Sequence, residues 1–312
     1  MEAPMLVLLL SACVSAELPN LTSLRENEPF EKLELHKREA PDNVLPKEDS
    51  IEEVNAKSGV ADGLFQGDIV LTKLYCQNKA CTFVSREQKE RIAANMRGAR
   101  FRRQAFNDKG WPARKWSNGI AYMLYLDDEK TKTAFQKAAK LWMENTCINF
   151  TEYKTKPPTD FLYVIGGDDG CKSNVGRNKD PGPQELALGQ GCGTIGHAAH
   201  EIGHTLGLFH THTRHDRDDF IKINEKNIKP FWRDQFDVQT TETNNNYDLT
   251  YDYGSIMHYA AESDVVSVDR KQPVMEAIDG NYTETLGSDI ISFYDLLIMN
   301  TLYDCIGKTY DM

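Results

Sequence analysis

The feature that most constrains this chain is the run HEIGHTLGLFH at residues 200–210, which fits the pattern H-E-x-x-H-x-x-G-x-x-H. Side chains four apart lie on one face of an α-helix, so His200 and His204 can direct ring nitrogens at one metal ion. His210 reaches that ion only if the helix ends first, and Gly207 can adopt the positive φ that ends a helix. Three neutral imidazoles with an open fourth position suit a catalytic zinc ion, which is the predicted cofactor.

Glu201 follows the first histidine and lies one step around the same predicted helix. A carboxylate beside an open zinc site can take a proton from water, as a hydrolase requires. One alternative is a surface helix with scattered histidines, but the full pattern rarely arises by chance. Another is a structural or catalytically dead zinc site, and Glu201 argues against it. The motif therefore predicts a zinc hydrolase with Glu201 as its general base.

A second motif, SIMHY at residues 255–259, follows a turn-rich stretch. With both motifs the chain resembles the astacin family of zinc metalloendopeptidases among the metzincins. The resemblance implies an α+β catalytic domain with a twisted, mainly parallel sheet. It also implies two long helices, an active-site helix and a backing helix, with zinc in the cleft between N- and C-terminal subdomains. In that family Tyr259 would reach the zinc, and Met257 would be the apolar floor beneath it.

Composition divides the chain into three predicted parts. Residues 1–16 resemble a secretory signal, because an apolar run precedes small residues suited to cleavage after Ala16. A membrane anchor is disfavoured, since no segment reaches the roughly 18 apolar residues of a spanning helix. Residues 17–103 are the predicted prosegment, whose first part up to about residue 60 is too polar to bury much core. Residues 104–312 are the predicted astacin-like zinc peptidase domain. The sequence ends seven residues after Cys305, so the expectation is a minimal secreted, extracellular form without a further module.

Two prosegment features predict latency and activation. The stretch FQGD at residues 65–68 is only a turn when taken alone. It is similar to the astacin prosegment motif F-x-G-D, which implies that Asp68 occupies the zinc position that water needs. The basic cluster RFRR at residues 100–103 is either a solvated charge run or a processing site. Its position favours cleavage after Arg103, a mature chain beginning at Gln104, and an activating protease as a partner.

Local patterns predict the main elements of the catalytic domain. Strands are predicted at 119–126 and 161–166, a loop at 168–191, and an amphipathic helix at 131–146. The apolar side of that helix comprises Phe135, Ala138, Ala139, Trp142 and Met143. A cap near Thr194 begins the zinc helix, and a capping box from Ser292 to Asp295 begins a closing helix that is expected to pack beneath the active site.

The seven cysteines are Cys13, Cys76, Cys81, Cys147, Cys171, Cys192 and Cys305. The last four allow three connectivities within the catalytic domain. The resemblance implies the pairs Cys147–Cys305 and Cys171–Cys192, whereas Cys76 and Cys81 either pair locally or do not. A thiol metal site is disfavoured in an exported protein. Sequons at Asn20, Asn149 and Asn281 permit glycosylation.

Charge and departures from the family pattern complete the prediction. A net charge of -11 gives no footprint for nucleic acid, and the expected partners are protein or peptide substrates, with no membrane. Astacins normally carry glutamate after the third histidine to anchor the new amino terminus, but this chain has Thr211, so burial of Gln104 is not assured. Leu208 replaces a phenylalanine.

Other residues near the motif have predicted supporting roles. The run Arg214, Asp216, Arg217 and Asp218 is interpreted as structural, and the extra histidines His197, His212 and His215 as surface or supporting groups.

Two functions of different classes follow from these motifs. The first is an active secreted endopeptidase made as a latent proenzyme. The alternative is a non-catalytic secreted binding protein that retains the fold, and only Thr211 supports it. Another metzincin branch, such as a matrix metalloprotease or an adamalysin, is disfavoured by SIMHY and by an aspartate latency motif.

Overall fold

A computed structural model describes residues 49–70, 105–106, 111–167, 170–178, 181–240 and 244–305. The predicted signal, most of the predicted prosegment, Asn20, Cys76, Cys81, Arg103 and Gln104 lie outside these residues. Within the described part, no helix is both long and apolar enough to cross a membrane.

The described residues form four α-helices and nine strands. The helices are α1 (Ile51–Ser58), α2 (Glu129–Asn145), α3 (Ile195–Leu206) and α4 (Phe293–Leu302). The strands are β1 (Ala105–Phe106), β2 (Ile120–Tyr125), β3 (Phe150–Glu152), β4 (Phe161–Ile165), β5 (Cys171–Ser173), β6 (Pro183–Leu188), β7 (Ile221–Ile223), β8 (Asn244–Asn245) and β9 (Met275–Ala277). Short 3-10 turns connect many of them.

A five-stranded sheet in the order β3-β2-β4-β6-β5 forms the first half of the domain. Its pairs β2–β3, β2–β4 and β4–β6 are parallel, and only β5 runs antiparallel to its neighbour β6. The predicted mainly parallel sheet is therefore confirmed. Strand β5 is at the edge of this sheet, so its outer backbone groups are available to another extended segment.

The prediction of a loop across residues 168–191 was wrong. This region contains β5 and also β6, which lies between β4 and β5 in the sheet. The connection between the two strands is rich in Gly, Pro, Asn and Asp, which predicts a loop. The apolar segment that follows and ends at Leu188 is too short to change that prediction. This segment forms a strand because Leu186, Ala187 and Leu188 are almost completely buried in the core.

Helix α2 packs against α3 and supports it. Asp128 caps its first turn by accepting from the backbone N–H groups of Lys130 and Thr131. Trp142 is fully buried and its indole N–H donates to the carbonyl oxygen of Ala199 in α3 (3.0 Å). The predicted apolar side is correct except at its end: Met143 is 36% exposed, because it lies beyond the strip that faces α3.

Helix α1 departs from the expectation that the polar residues up to about 60 bury little core. Ser50 and Glu53 form a capping box at its start, and Gly59 ends it with a φ of +74°. Ile51 and Val54 are buried in the same core cluster as the sheet and α2. A single apolar stripe on an otherwise polar helix is enough to dock it.

A second apolar cluster, formed mainly by residues between 220 and 286, makes the other half of the domain. Helix α4 returns the chain to the first half, where Ile298, Met299 and Leu302 are buried. Both disulfides implied by the family resemblance are present, with Cα–Cα distances of 5.3 Å for Cys147–Cys305 and 5.7 Å for Cys171–Cys192. The first joins the end of α4 to the end of α2, and the second joins β5 to the loop before α3.

Candidate metal centre

Helix α3 and the turn after it place the three histidines of the first motif. Thr194 caps the helix, since its hydroxyl accepts from the backbone N–H of His197 (3.0 Å). Gly207 ends it with a φ of +116°, and its N–H donates to the carbonyl oxygens of Gly203 and His204. A residue with a Cβ would be strained in this left-handed conformation. The chain reverses here and brings His210 back toward the helix.

Four buried side chains converge on one point. The Nε2 atoms of His200, His204 and His210 lie 3.1–3.2 Å from one another. Asp68 faces all three: its Oδ2 is 3.2 Å from His200 and 3.0 Å from His210, and its Oδ1 is 3.4 Å from His204. The four ligand atoms all lie within 4.8 Å of one another.

Hydrogen bonds at the Nδ1 atoms of His200 and His204 indicate that the four side chains can bind a cation. The Nδ1 of His200 is 2.7 Å from the carbonyl oxygen of Ile256, and that of His204 is 2.7 Å from the carbonyl oxygen of Leu208. A carbonyl oxygen only accepts, so each Nδ1 carries the proton and each Nε2 presents a lone pair. Lone pairs and a carboxylate crowded this closely repel one another unless a positive ion lies among them. Three imidazole nitrogens and one carboxylate oxygen suit tetrahedral zinc.

Asp68 is delivered by a tight hairpin that ends in the cleft. Phe65 and Ile69 exchange two backbone hydrogen bonds of 2.9 Å, which close a loop with Gln66, Gly67 and Asp68 at its tip. Gln66 and Gly67 have φ values of +48° and +78°. At Gly67 a Cβ would lie 2.6 Å from the hydroxyl of Tyr259, so both the conformation and the space require glycine.

The pKa values of the two carboxyl groups of the site shift in opposite directions, because only Asp68 faces the histidines. Glu201 is fully buried, and neither carboxylate oxygen has a hydrogen-bond partner among the described residues. Burial, and then the charge of Asp68, raise the pKa of Glu201 well above its usual value. Burial alone would raise the pKa of Asp68 as well, but the imidazoles of His210 and His204 lower it well below its usual value.

Comparison with known proteins identifies the family. The profile of the family described as Astacin (Peptidase family M12A) matches residues 108–304. The chain belongs to the astacin family.

Zinc metalloproteinase nas-31 of Caenorhabditis elegans is 38% identical over 299 residues, covering 95% of this chain and 46% of that protein. Zinc metalloproteinase nas-29 of the same organism is 35% identical, covering 85% of this chain and 50% of that protein. The chain thus spans about half the length of these relatives. A solved structure of high choriolytic enzyme 1, a hatching enzyme zinc-protease from the medaka fish Oryzias latipes, matches with 31% identity and a TM-score of 0.55. That match covers 64% of this chain and 99% of the medaka chain.

In this astacin-family chain, zinc is the cofactor that the buried cluster suits, and the SIMHY segment lies directly against it. The Sδ of Met257 packs under α3, where a Cβ at Gly203 would lie 2.6 Å from it. The ring of Tyr259 is 4.7 Å from that of His210, and its hydroxyl donates to the carbonyl oxygen of Gln66 (2.6 Å). Burial raises the pKa of Tyr259 well above its usual value, so the hydroxyl keeps its proton.

Thr211 is built into a buried chain of hydroxyl groups. Its hydroxyl donates to that of Ser255 (2.8 Å), which in turn donates to Asp295 (2.6 Å). Asp295 also accepts from the backbone N–H of Ile256 (2.8 Å) and completes the predicted capping box of α4 with Ser292. Burial raises the pKa of Asp295 to about 6. Nothing in the sequence pattern indicates that α4 supports the metal site through this carboxylate.

The extra histidines do not join the group that could bind a metal in the described part of the chain. His212 is buried, its Nε2 lies 3.2 Å from the carbonyl oxygen of Gln235, and its ring lies 4.0 Å from that of Tyr259. Burial lowers its pKa well below the usual value. His197 is buried in α3, and His215 is half-buried with its Nδ1 3.2 Å from the amide nitrogen of Asn246.

The charged residues after the third histidine make hydrogen bonds that stabilise the neighbouring loop. Arg214 is buried and donates twice to Asp216, at 2.9 and 2.8 Å. It also donates to the carbonyl oxygens of Thr250 and Leu249. These contacts hold the segment that leads into SIMHY.

Sequence reasoning missed the two residues of α1 that lie nearest to the site. Asn55 is fully buried, and its Nδ2 donates to the carbonyl oxygens of Gly67 (2.9 Å) and Cys171 (2.6 Å). Its Oδ1 accepts from the N–H of Cys171 (2.7 Å). Glu52 is also buried, and its pKa is raised to about 7 by burial and, to a lesser extent, by Asp68. The capping box at Ser50 and the cap at Gly59 were the signals that could have revealed this helix.

Proposed function

We propose that this chain is a secreted zinc-dependent endopeptidase that is made as a latent proenzyme and hydrolyses peptide bonds of proteins or peptides. The observation that carries the proposal is the buried carboxylate of Glu201, unpartnered among the described residues, beside the cluster of His200, His204, His210 and Asp68. A buried carboxyl without a partner costs stability. A role as proton carrier explains why such a group is kept there.

Each residue of the cluster has a proposed part in hydrolysis. His200, His204 and His210 would hold zinc, which would supply a Lewis acid to polarise the scissile carbonyl and lower the pKa of water. Glu201 accepts the proton of the attacking water and passes it to the leaving amine. The hydroxyl of Tyr259 donates a hydrogen bond to the negative charge that develops on the carbonyl oxygen, an interaction worth about 3 kcal/mol in comparable sites. Met257 supports the histidines from below and takes no part in the chemistry.

The hairpin of residues 65–69 accounts for latency in three ways. Asp68 would fill the fourth ligand position of a bound zinc ion and so exclude water from it. The Tyr259 hydroxyl is occupied by the carbonyl oxygen of Gln66 and cannot serve a substrate. The chain turns back at Gln66 and Gly67, so no extended peptide bond lies across the site. Removal of the prosegment would free all these groups, and with Asp68 gone the pKa of Glu201 would fall.

The domain assignment is part of the same proposal. Residues 1–16 are the signal, residues 17–103 the prosegment, and residues 104–312 the peptidase domain, with processing between Arg103 and Gln104. Asn149 and Asn281 are exposed, as a glycosylation site must be. The α-ammonium of Gln104 would need an acceptor other than a glutamate at position 211.

Peptidase activity of the processed protein tests the proposal. Protein cleaved at Arg103 is incubated with a mixed peptide library, alongside Glu201→Ala and a sample treated with a zinc chelator. Cleavage that is lost in both controls supports the zinc endopeptidase. Stoichiometric zinc with no cleavage of any peptide would contradict it and favour the non-catalytic binding protein.

A further inference from the structure

A small apolar cluster joins the prosegment hairpin to the wall of the metal site. Its members are Phe65 (8% exposed) and Ile69 (1%) from the hairpin, and Val175 (7%) and Phe209 (6%) from the catalytic domain. It is separate from the two larger apolar clusters that make the halves of the domain. The catalytic-domain half of this cluster is therefore a surface that the prosegment covers.

Both wall residues are fixed to elements that hold the metal ligands. Phe209 lies between Leu208, whose carbonyl oxygen contacts the Nδ1 of His204, and the ligand His210. Val175 follows β5, and the backbone N–H of the next residue, Gly176, donates to the carbonyl oxygen of His204 (2.9 Å). The two side chains thus keep a constant position relative to the metal site, as a substrate pocket requires.

Only the limb of the hairpin from Asp68 to Val70 lies extended along the edge strand β5. Ile69 pairs with Ser173 at the edge of the sheet, where the N–H of Val70 donates to the carbonyl oxygen of Ser173 (2.7 Å). The N–H of Ser173 donates to the carbonyl oxygen of Asp68 (3.1 Å). A strand held by its backbone directs alternate side chains into the adjoining pockets. Ile69 lies on this limb and Phe65 pairs with it across the hairpin, and both side chains pack with Val175 and Phe209. The two hairpin side chains therefore show which chemistry this apolar surface accepts.

We propose that Val175 and Phe209 form a specificity pocket beside the zinc, which in the processed enzyme takes an aromatic or branched aliphatic side chain of the substrate. This inference rests on the proposed function and names its substrate class. All the described members of the cluster are apolar, so none could pair with a polar substrate group. A charged side chain placed there would lose its hydration without gaining a partner.

Kinetic profiling of processed wild type and two pocket variants tests the inference. Wild type should favour Leu, Ile or Phe over Ala at one fixed position beside the cleaved bond, by roughly tenfold or more in kcat/KM. Phe209→Ala should reduce that ratio several-fold. Val175→Thr, a milder change that keeps the volume, should act in the same direction. Val268→Thr is the matched control, because Val268 is 61% exposed.

A binding measurement distinguishes an effect of the pocket on substrate affinity from an effect on the rate of peptide hydrolysis. In a Glu201→Ala background, the Kd of an uncut leucine peptide should be several-fold lower than that of its alanine counterpart, and Phe209→Ala should remove the difference. Equal affinities, or a profile that neither variant alters while all proteins cleave peptides, would overturn the pocket and leave the peptidase intact. Absence of any cleavage by zinc-loaded wild type would instead refute the proposed function.

Discussion

Helix α3 with its turn and the hairpin of residues 65–69 supply ligand atoms to the same point, but they are held in different ways. The three histidines come from residues 200–210, and two of them are fixed by backbone carbonyls of Leu208 and Ile256. Asp68 comes from 132 residues earlier than His200, and its loop is held by Asn55, Tyr259 and the edge of β5. The three histidines come from one short stretch of chain and form the permanent part of the site. The hairpin comes from a distant stretch and is the part that the proposed processing would remove, called the removable part below.

This difference matches what each part has to do in a latent enzyme. The histidines must stay in place after processing, so they need hydrogen bonds that cleavage of the prosegment does not break. A blocking ligand must be specific while it is present and must lose its anchors together once its chain is cut. The contacts of Asp68 meet this condition, because Asn55 and the hairpin belong to the same segment on the amino-terminal side of the proposed processing site.

His204→Ala should produce the largest effect, because it removes a permanent ligand. We expect zinc content to fall from one ion per chain to near zero, with peptidase activity of the processed protein reduced at least about 1000-fold. Zinc analysis by mass spectrometry and kcat/KM are the measurements. His215→Ala is the control, since His215 is outside the ligand group. Full zinc occupancy in His204→Ala would refute the assigned ligand set.

Asn55→Ala should weaken the docking of the removable part and leave the three histidines unchanged. The substitution leaves the buried N–H and carbonyl of Cys171 and the carbonyl of Gly67 without the partner that Asn55 provides. Docking of the prosegment should lose roughly 3 kcal/mol, which limited proteolysis of the full chain would report as faster loss of residues 49–70. Zinc content should not change. Asn145→Ala is the control, because the Asn145 side chain is exposed and donates to the carbonyl oxygen of Leu141 within α2. Equal proteolysis rates in the two variants would contradict this role.

Gly67→Ala should have a smaller effect of the same kind. Alanine at a positive φ costs roughly 1–2 kcal/mol, and its Cβ would also press on the Tyr259 hydroxyl. We expect the unprocessed variant to show measurable peptidase activity. Gly59→Ala separates strain from contact, since Gly59 also has a positive φ but a Cβ there would meet no described atom within 4 Å. If Gly59→Ala released as much activity as Gly67→Ala, the contact with Tyr259 would not matter.

Glu52→Gln should give the smallest change, visible only in its pH dependence. The pKa of Glu52 is raised from 4.5 to about 7, so the docked prosegment binds more protons than the undocked one. Docking should therefore weaken as pH rises from about 4.5 to 7, and the variant should not share this loss. The advantage of Glu52→Gln in free energy of unfolding should grow by about 1 kcal/mol between roughly pH 5 and 6. Glu129→Gln, at an exposed site, should show no such trend. A constant difference across this range would refute the buried, proton-linked Glu52.

The contrast between local and distant contacts also explains what the sequence could predict. The histidine cluster and the cap at Thr194 follow from spacing within one helix and the turn after it, and they could be predicted in detail. Strand β6 could not, because it is short, begins at Pro183 and owes its place to β4 and β5 on either side. Asn55 belongs to no sequence motif. Its role depends on tertiary hydrogen bonds to Gly67 and Cys171, which the sequence does not reveal.

Locating zinc in the full, unprocessed chain tests the central claim most directly. A crystal structure of the zinc-loaded protein, with anomalous data at the zinc edge, should show one ion bound by the Nε2 atoms of His200, His204 and His210 and by a carboxylate oxygen of Asp68 at roughly 2.0–2.2 Å. A zinc ion at these histidines with water in place of Asp68, or an ion bound elsewhere, would contradict the account.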